Sequence, residues 1–507
     1  MNVTVTALQS DISRARAIIF VCAFAALAFG AFAALGAEQS VATILVACVF
    51  GVAALVLPLP WVALVLAALI PLQIYFPFAG GLNLRGALVF AAVAALRVLA
   101  IRFARPASQL ALGRLRSLEW AIPAAFFIFA ACVAAVAAPN RQIALKGIYD
   151  WLPIFATTFV AGEIVHSKRL AKSIVVILIA GGVSEALLGL AQAALDVPRV
   201  ISALESPLSV LVYQPNLLRD RLSDLSFNWI SNQRVLSFGT FINNIDYAIF
   251  LAAILTLVLA LLLGEEQMTA DHRLLTARRY LPALILLICV ALLGSALLQT
   301  FKGSGMIALA GGIGAIAALY VRRLSARMLA SGLSVVVAAL GLAAPFYSDL
   351  TQRVVFLIQR ETGALFDTGR TVIWAQVLAD LPQRLWFGWG LNNSGLLVAP
   401  LPSLNGGAFV FNFPTAESAY VAALVETGIV GFAALLLFVA VVLARAYGVV
   451  RATRASACAV GISAATVALF CGSLTVVSLT TDQNGMLLGV LIGMIFGMRT
   501  SAEKESE

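Results

Sequence analysis

The chain is poor in the residues most often used for chemistry. It has two histidines and six cysteines in 507 residues, and only 11% of it is charged. Cys22, Cys48, Cys132, Cys289, Cys458 and Cys471 all lie in apolar runs, where cysteine behaves as a small hydrophobe. That excludes a disulfide framework or a CxxC metal motif. No phosphate-cradling P-loop or dinucleotide glycine fingerprint occurs, so nothing points to a nucleotide. The low charge, with 62% hydrophobic residues and a mean hydropathy of +1.00, excludes a soluble globular domain.

What is present is membrane-length hydrophobic sequence. Runs of 18 or more apolar residues recur along the chain, each able to cross a bilayer as a helix. The short alternating segments of a membrane barrel are absent. The expected fold is an all-α polytopic bundle of roughly 14 transmembrane helices (12–14). Spans fall near 17–36, 41–57, 61–80, 86–101, 119–138, 147–165, 171–195, 240–263, 280–299, 304–321, 328–346, 419–443, 457–479 and 484–498. Arg14 and Arg16 before the first run imitate a signal peptide. The run is long for one and reads as a retained span.

The net charge of +9 reports topology rather than a nucleic-acid partner. Basic residues crowd into alternate loops: Arg102, Arg105, Arg114 and Arg116; Lys168, Arg169 and Lys172; Arg322, Arg323 and Arg327; Arg445, Arg451 and Arg454. The positive-inside rule makes these loops, and both termini, cytoplasmic. His166 and His272 then fall on the cytoplasmic side, leaving no histidine on the outer face.

Two long loops lie outside by this count, 196–239 and 347–418. The implied organisation is N-terminal transmembrane helices over 1–195, a first periplasmic loop over 196–239 and central helices over 240–346. A large periplasmic loop follows over 347–418, with C-terminal helices over 419–498 and a cytoplasmic tail over 499–507. The first loop holds Arg199, Arg219, Arg221 and Arg234; the second holds Arg353, Arg360, Arg370 and Arg384. Any one of them is read equally well as solvated surface charge. Eight together suit an anionic ligand, because the guanidinium fork donates two parallel hydrogen bonds to phosphate and stays charged.

Within the second loop a helix is expected from Arg370, with Ile373, Val377 and Leu381 at i, i+4, i+8 and Trp374 beside them. It stops at Leu381-Pro382. Phe387-Gly388-Trp389-Gly390 reads as a tight turn. The tryptophans suit interface packing or a sugar platform. Charges inside spans are few: Asp150, Glu163, Glu185, Asp246 and Glu426. Glu426, about 13 Å deeper than Glu417 at the helical rise, is either a polar link between helices or part of a site.

The order Gly369-Arg370, Trp374, Leu381-Pro382, Phe387-Gly388-Trp389-Gly390, Glu417-Ser418 and Glu426-Thr427-Gly428-Ile429-Val430-Gly431 resembles the C-terminal region of the O-antigen ligase/polymerase superfamily. Arg234 to Ala248 is similar to that family's Arg…Gly-Thr-Phe-x-Asn-Pro-Asn-x-x-Ala opening of a span, with Asn244 and Ile245 where the family has Pro and Asn. Thr300-Phe301-Lys302-Gly303 stands where the family often has Thr-x-Ser-Arg-Gly. The resemblance implies a GT-C-like bundle in the bacterial inner membrane, with a large periplasmic loop before the last three helices. It implies a glycosyltransferase that uses no cofactor and no metal.

The implied donor is an oligosaccharide on undecaprenyl pyrophosphate. The acceptor is another glycan chain (a polymerase) or lipid A-core (a ligase). Membrane lipids, and polysaccharide export machinery, are further expected partners. Arg234 and Arg370 match positions thought to bind the donor pyrophosphate, with Lys302, Arg221 and Arg360 as further anion contacts. Trp374, Trp389 and Glu426 complete the expected substrate surface. Ligases typically carry His-Asn where this chain has Glu417-Ser418. Glutamate serves as a base when its pKa suits the site, so the substitution favours a polymerase of O-antigen or exopolysaccharide. Glu417 reads alternatively as a carboxylate stabilised by a helix N-terminus. A flippase of lipid-linked saccharides is the rival from another class; no internal repeat of the transporter kind is found.

Overall fold

The computed structural model describes residues 39–72, 75–77, 83–103, 119–195, 226–227, 234–235, 237–241, 243–269, 280–300, 302–320, 370–398, 401–402, 410–411 and 416–498, with isolated positions between. These residues form α1 (Gln39–Val56), α2 (Leu59–Leu69), α3 (Gly86–Phe103), α4 (Ala121–Val136), α5 (Arg141–Ile164), α6 (Lys168–Ala194) and α7 (Asn244–Thr269). There follow α8 (Tyr280–Gln299), α9 (Gly303–Tyr320), α10 (Arg370–Ala379), α11 (Ala419–Ala452), α12 (Ala457–Gly472) and α13 (Asp482–Gly497). Three short antiparallel ladders join them: Tyr75–Pro77 with Asn83–Arg85, Ser226–Phe227 with Arg234–Val235, and Leu401–Pro402 with Val410–Phe411.

The protein is a helical polytopic membrane protein. Six of the helices are long and apolar enough to cross a membrane, and five more are shorter apolar helices. The expected spans near 17–36 and 328–346 lie outside the described residues. The expected span 61–80 is cut short. Helix α2 ends at Leu69, before Pro71, and residues 75–77 form a strand, because proline stops the helical ladder. Likewise the span expected to reach 479 ends at Gly472, where Ser473 turns the chain.

Helix α7 is the axis of the bundle. Of its membrane-length window 78% is buried, against 22% for α8, as expected of a helix apolar all round and enclosed by others. It packs on α12, α9 and α8, while α13 lies along α5 and α11 along α4. The α5–α13 contact is built on small residues. Gly485, Gly489 and Gly493 recur every fourth position of α13. A methyl added at Gly489 would lie 1.9 Å from Thr157 Oγ1, and one at Gly493 2.6 Å from Ala161 Cβ. Such stripes let helix backbones approach closely where lipid offers no hydrophobic drive to associate. At the same end of α5, Glu163 pairs with Arg102 at 2.6 Å.

Candidate functional site at one end of the bundle

The expected loop helix forms as α10, with Ile373 and Val377 fully buried. The glycine turn after it does more than reverse the chain. Helix α11 breaks at Gly428, whose φ of 67° and ψ of −171° are not helical. Such a break strips two donors and two acceptors of their i→i−4 partners, and backbone groups buried in a membrane protein need replacements. The segment 385–390 supplies all four. The N–H groups of Ile429 and Val430 donate to the carbonyls of Leu385 (2.9 Å) and Trp386 (3.2 Å). The carbonyls of Val425 and Glu426 accept from the N–H groups of Trp389 (3.0 Å) and Gly390 (2.8 Å). A methyl at Gly388 would lie 2.4 Å from the Glu426 carbonyl carbon, and one at Gly428 2.3 Å from that of Trp386. The two glycine motifs are therefore the two faces of one lock.

The lock positions Glu426, whose side chain is buried. Its Oε1 accepts from Ser394 Oγ at 2.6 Å and from the Ser394 N–H at 3.3 Å. Ser394 Oγ in turn accepts from the Ala416 N–H at 3.2 Å, and Trp374 Nε1 donates to the Ala416 carbonyl at 2.8 Å. Ala416 is thus gripped on both sides, immediately before Glu417. Ser418 caps α11 by accepting from the Val421 N–H at 3.4 Å, and the Ala419 N–H donates to the Ser473 carbonyl at 3.0 Å. Between these anchors Glu417 takes a φ of 52°. This left-handed conformation costs a non-glycine residue about 1–3 kcal/mol and persists only where its surroundings impose it.

Held this way, Glu417 faces cations. Its Oε2 lies 3.9 Å from Arg370 Nε, and both side chains remain partly exposed, 23% and 29%. That distance is an ion pair without a hydrogen bond. Lys302, which precedes α9, adds a second positive field at the carboxylate. Its end of α9 is tied to the turn after α12 by Thr475 Oγ1 donating to Ser304 Oγ at 2.9 Å. Burial pushes the Glu417 carboxyl above the usual carboxylate range, against the pull of Arg370 and, less strongly, of Lys302. The result is a partly exposed carboxylate of raised basicity beside two cations.

Of the residues expected from the sequence, Glu417, Arg370 and Lys302 come together, with Trp374 one hydrogen bond away. Trp389 lies in the lock, its ring under Arg384 at 4.4 Å and its Nε1 donating to the Asp380 carbonyl at 3.3 Å. Arg384, one of the eight loop arginines, also donates to the Ala137 carbonyl after α4, so its place is a structural one. Arg234 lies in the short strand opposite Phe227; Arg221 and Arg360 lie outside the described residues. Sequence reading missed Ser394, whose only signal was a serine in a glycine-rich loop.

A second anchor holds the turn after Arg234. Glu185 of α6 accepts from the Thr240 N–H (2.7 Å, Oε2) and Thr240 Oγ1 (2.9 Å, Oε1). Gln192 accepts from the Gly239 N–H at 2.8 Å and donates to the Gly239 carbonyl at 2.7 Å. Gly239 has a φ of 58°, and a methyl there would lie 2.3 Å from Glu185 Oε2. The Gly-Thr-Phe motif is the shape that fits this grip.

Residues 287–436 match the family model described as O-antigen ligase. The segment is a domain of the O-antigen ligase/polymerase superfamily. No curated protein matches the chain. The O-antigen ligase domain runs from within α8 to the middle of α11 and contains Lys302, Arg370, Trp374, Trp389, Glu417 and Glu426; Arg234 and the Glu185 anchor precede it. The matched segment is similar to a glycan-transferring, polysaccharide-building enzyme family of the membrane.

Proposed function

We propose that the protein is a glycosyltransferase of the bacterial inner membrane, acting at the periplasmic face on a glycan carried by undecaprenyl pyrophosphate. The convergence of Glu417, Arg370 and Lys302 at one end of the bundle carries this reading. In the reaction, an acceptor hydroxyl oxygen bonds to the anomeric carbon of the donor sugar. The bond from that carbon to the pyrophosphate oxygen breaks, and its electron pair leaves with the lipid pyrophosphate. The hydroxyl proton passes to the Glu417 carboxylate. Arg370, with Arg234 and Lys302, stabilises the charge gathering on the leaving group; fixed donors of this kind contribute about 10²–10³-fold each. Neither a metal nor a nucleotide has a part in this scheme.

The preferred product is a longer glycan chain, made by an O-antigen or exopolysaccharide polymerase, because a glutamate stands where ligases typically have histidine. The ligase reading, transfer to lipid A-core, is favoured instead by the description of the matching family. The proposed arrangement has roughly 14 spans (12–14) in a GT-C-like bundle, both termini cytoplasmic, and the loop 347–418 periplasmic. The test is glycan chain length in a deletion strain complemented with wild type, Arg370→Ala, Arg234→Ala or Glu417→Gln. A polymerase deletion leaves single repeats on the acceptor, which wild type extends and Arg370→Ala does not. Full-length glycan stranded on the carrier lipid identifies a ligase. Normal length and attachment with Arg370→Ala would remove this site from the reaction.

A further inference from the structure

At the end of α6 far from Glu185, the bundle carries a cleft of about 610 Å³ lined by Leu64, Lys168, Arg169, Lys172, Ser173, Val176 and Ile177. Its origin is a length mismatch. Helix α2 has 11 residues, about 16 Å at the helical rise, roughly half the hydrocarbon thickness of a bilayer. Helix α6 has 27, so its first turns run beyond the cover that α2 gives.

The uncovered face of α6 is graded. Two adjacent rows at i, i+4, i+8 read Lys168, Lys172, Val176 and Arg169, Ser173, Ile177. Each row passes from cation to apolar side chain within about 12 Å, roughly the depth from a lipid phosphate to its acyl chains. The three cations are exposed, and no acidic residue lines the cleft. Among the described residues none of the three is in an ion pair. Lys172 does lie within electrostatic reach of the Cys458 thiol on α12. Val176, 64% exposed, continues the groove onto the outer wall of the bundle.

We propose that this cleft binds an anionic phospholipid. Its phosphate sits among Lys168, Arg169 and Lys172, and an acyl chain lies along Leu64, Val176 and Ile177. A free phosphate would satisfy the cations but has no use for the apolar wall, and a zwitterionic lipid would satisfy the wall but gains little from three clustered cations. The site is independent of the glycosyl-transfer reading, which supplies only its leaflet, the cytoplasmic one. Basic recesses between helices on that side suit anionic head groups, each cation adding about fivefold to binding.

The test uses the full-length protein in mild detergent, stripped of lipid, with retained lipid counted by native mass spectrometry. Phosphatidylglycerol, phosphatidylethanolamine and inorganic phosphate are the probes. Wild type is expected to retain phosphatidylglycerol at least tenfold better than phosphatidylethanolamine, with millimolar phosphate failing to displace it. Combined Lys168→Gln, Arg169→Gln and Lys172→Gln should weaken retention about a hundredfold, while Arg451→Gln, an exposed arginine at the same end of the bundle, should not. Val176→Trp, on an exposed position that tolerates bulk, should block the lipid with every charge in place. Equal retention of both lipids, displacement by phosphate, or undiminished binding in the triple variant or in Val176→Trp would overturn the proposal. So would occupation of the cleft by a second copy of the chain, read as a dimer in the same spectra.

Discussion

The anchors of this bundle and its candidate site use glutamate in opposite ways. At Thr240, both oxygens of Glu185 meet short donors from one residue, and the carboxylate acts as a clasp on a turn. Glu426 acts likewise on Ser394. Glu417 faces cations instead, held at 3.9 Å from Arg370 by a backbone in a left-handed conformation. A carboxylate paired at hydrogen-bond distance with the protein's own donors fixes structure. One set beside cations, in an imposed conformation and still partly exposed, is placed for chemistry.

The sharpest way to break this contrast is to neutralise each member. Glu417→Gln and Arg370→Ala should each lower glycan transfer by about 10²-fold or more, with the variants remaining as stable in detergent as wild type. Comparable losses from Glu185→Gln would erase the distinction between clasp and site. Next in size comes the lock. Gly388→Ala or Gly428→Ala forces a side chain into a left-handed backbone and into the facing backbone segment, and should destabilise the protein by about 3 kcal/mol or more, read as a fall in Tm. Ser394→Ala removes the link between Glu426 and Ala416. It should cost about 1–3 kcal/mol and slow transfer without weakening donor binding, seen as lower kcat at unchanged KM. Thr240→Val, which removes a clasp donor to Glu185, should cost about 1–2 kcal/mol and leave kcat intact once the protein is folded.

Much of this was legible in the sequence, for physical reasons. Membrane-length apolar runs have few alternative folds, and α10 began and stopped where Arg370 and Leu381-Pro382 said it would. Arg370, Glu417 and Lys302 could be singled out as candidates because charge is scarce in such a chain. The lock was not, since Phe-Gly-Trp-Gly and Glu-Thr-Gly are some 40 residues apart and their complementarity exists only in three dimensions. Arg384 and Trp389 show the converse. Residue types suited to a ligand took each other as partners, which composition cannot distinguish. The early end of α2 was written in Pro71 and Pro77, but a hydropathy reading passes over two prolines in an apolar run.

The most direct test of the central claim is the pH dependence of glycan transfer by reconstituted protein, comparing wild type, Lys302→Met and Glu417→Gln. A base must be deprotonated, so activity should rise with pH along a limb above the usual carboxylate range, where burial has raised Glu417. Stability runs the other way through that window. A carboxyl of raised folded-state pKa binds its proton more tightly when folded, so stability falls as pH rises from its unfolded to its folded pKa. Removing the Lys302 charge, which pulls that pKa down, should shift the activity limb to higher pH, and Glu417→Gln should abolish both limb and activity. A Glu417→Gln enzyme that keeps the wild-type rate and the wild-type limb would contradict the account.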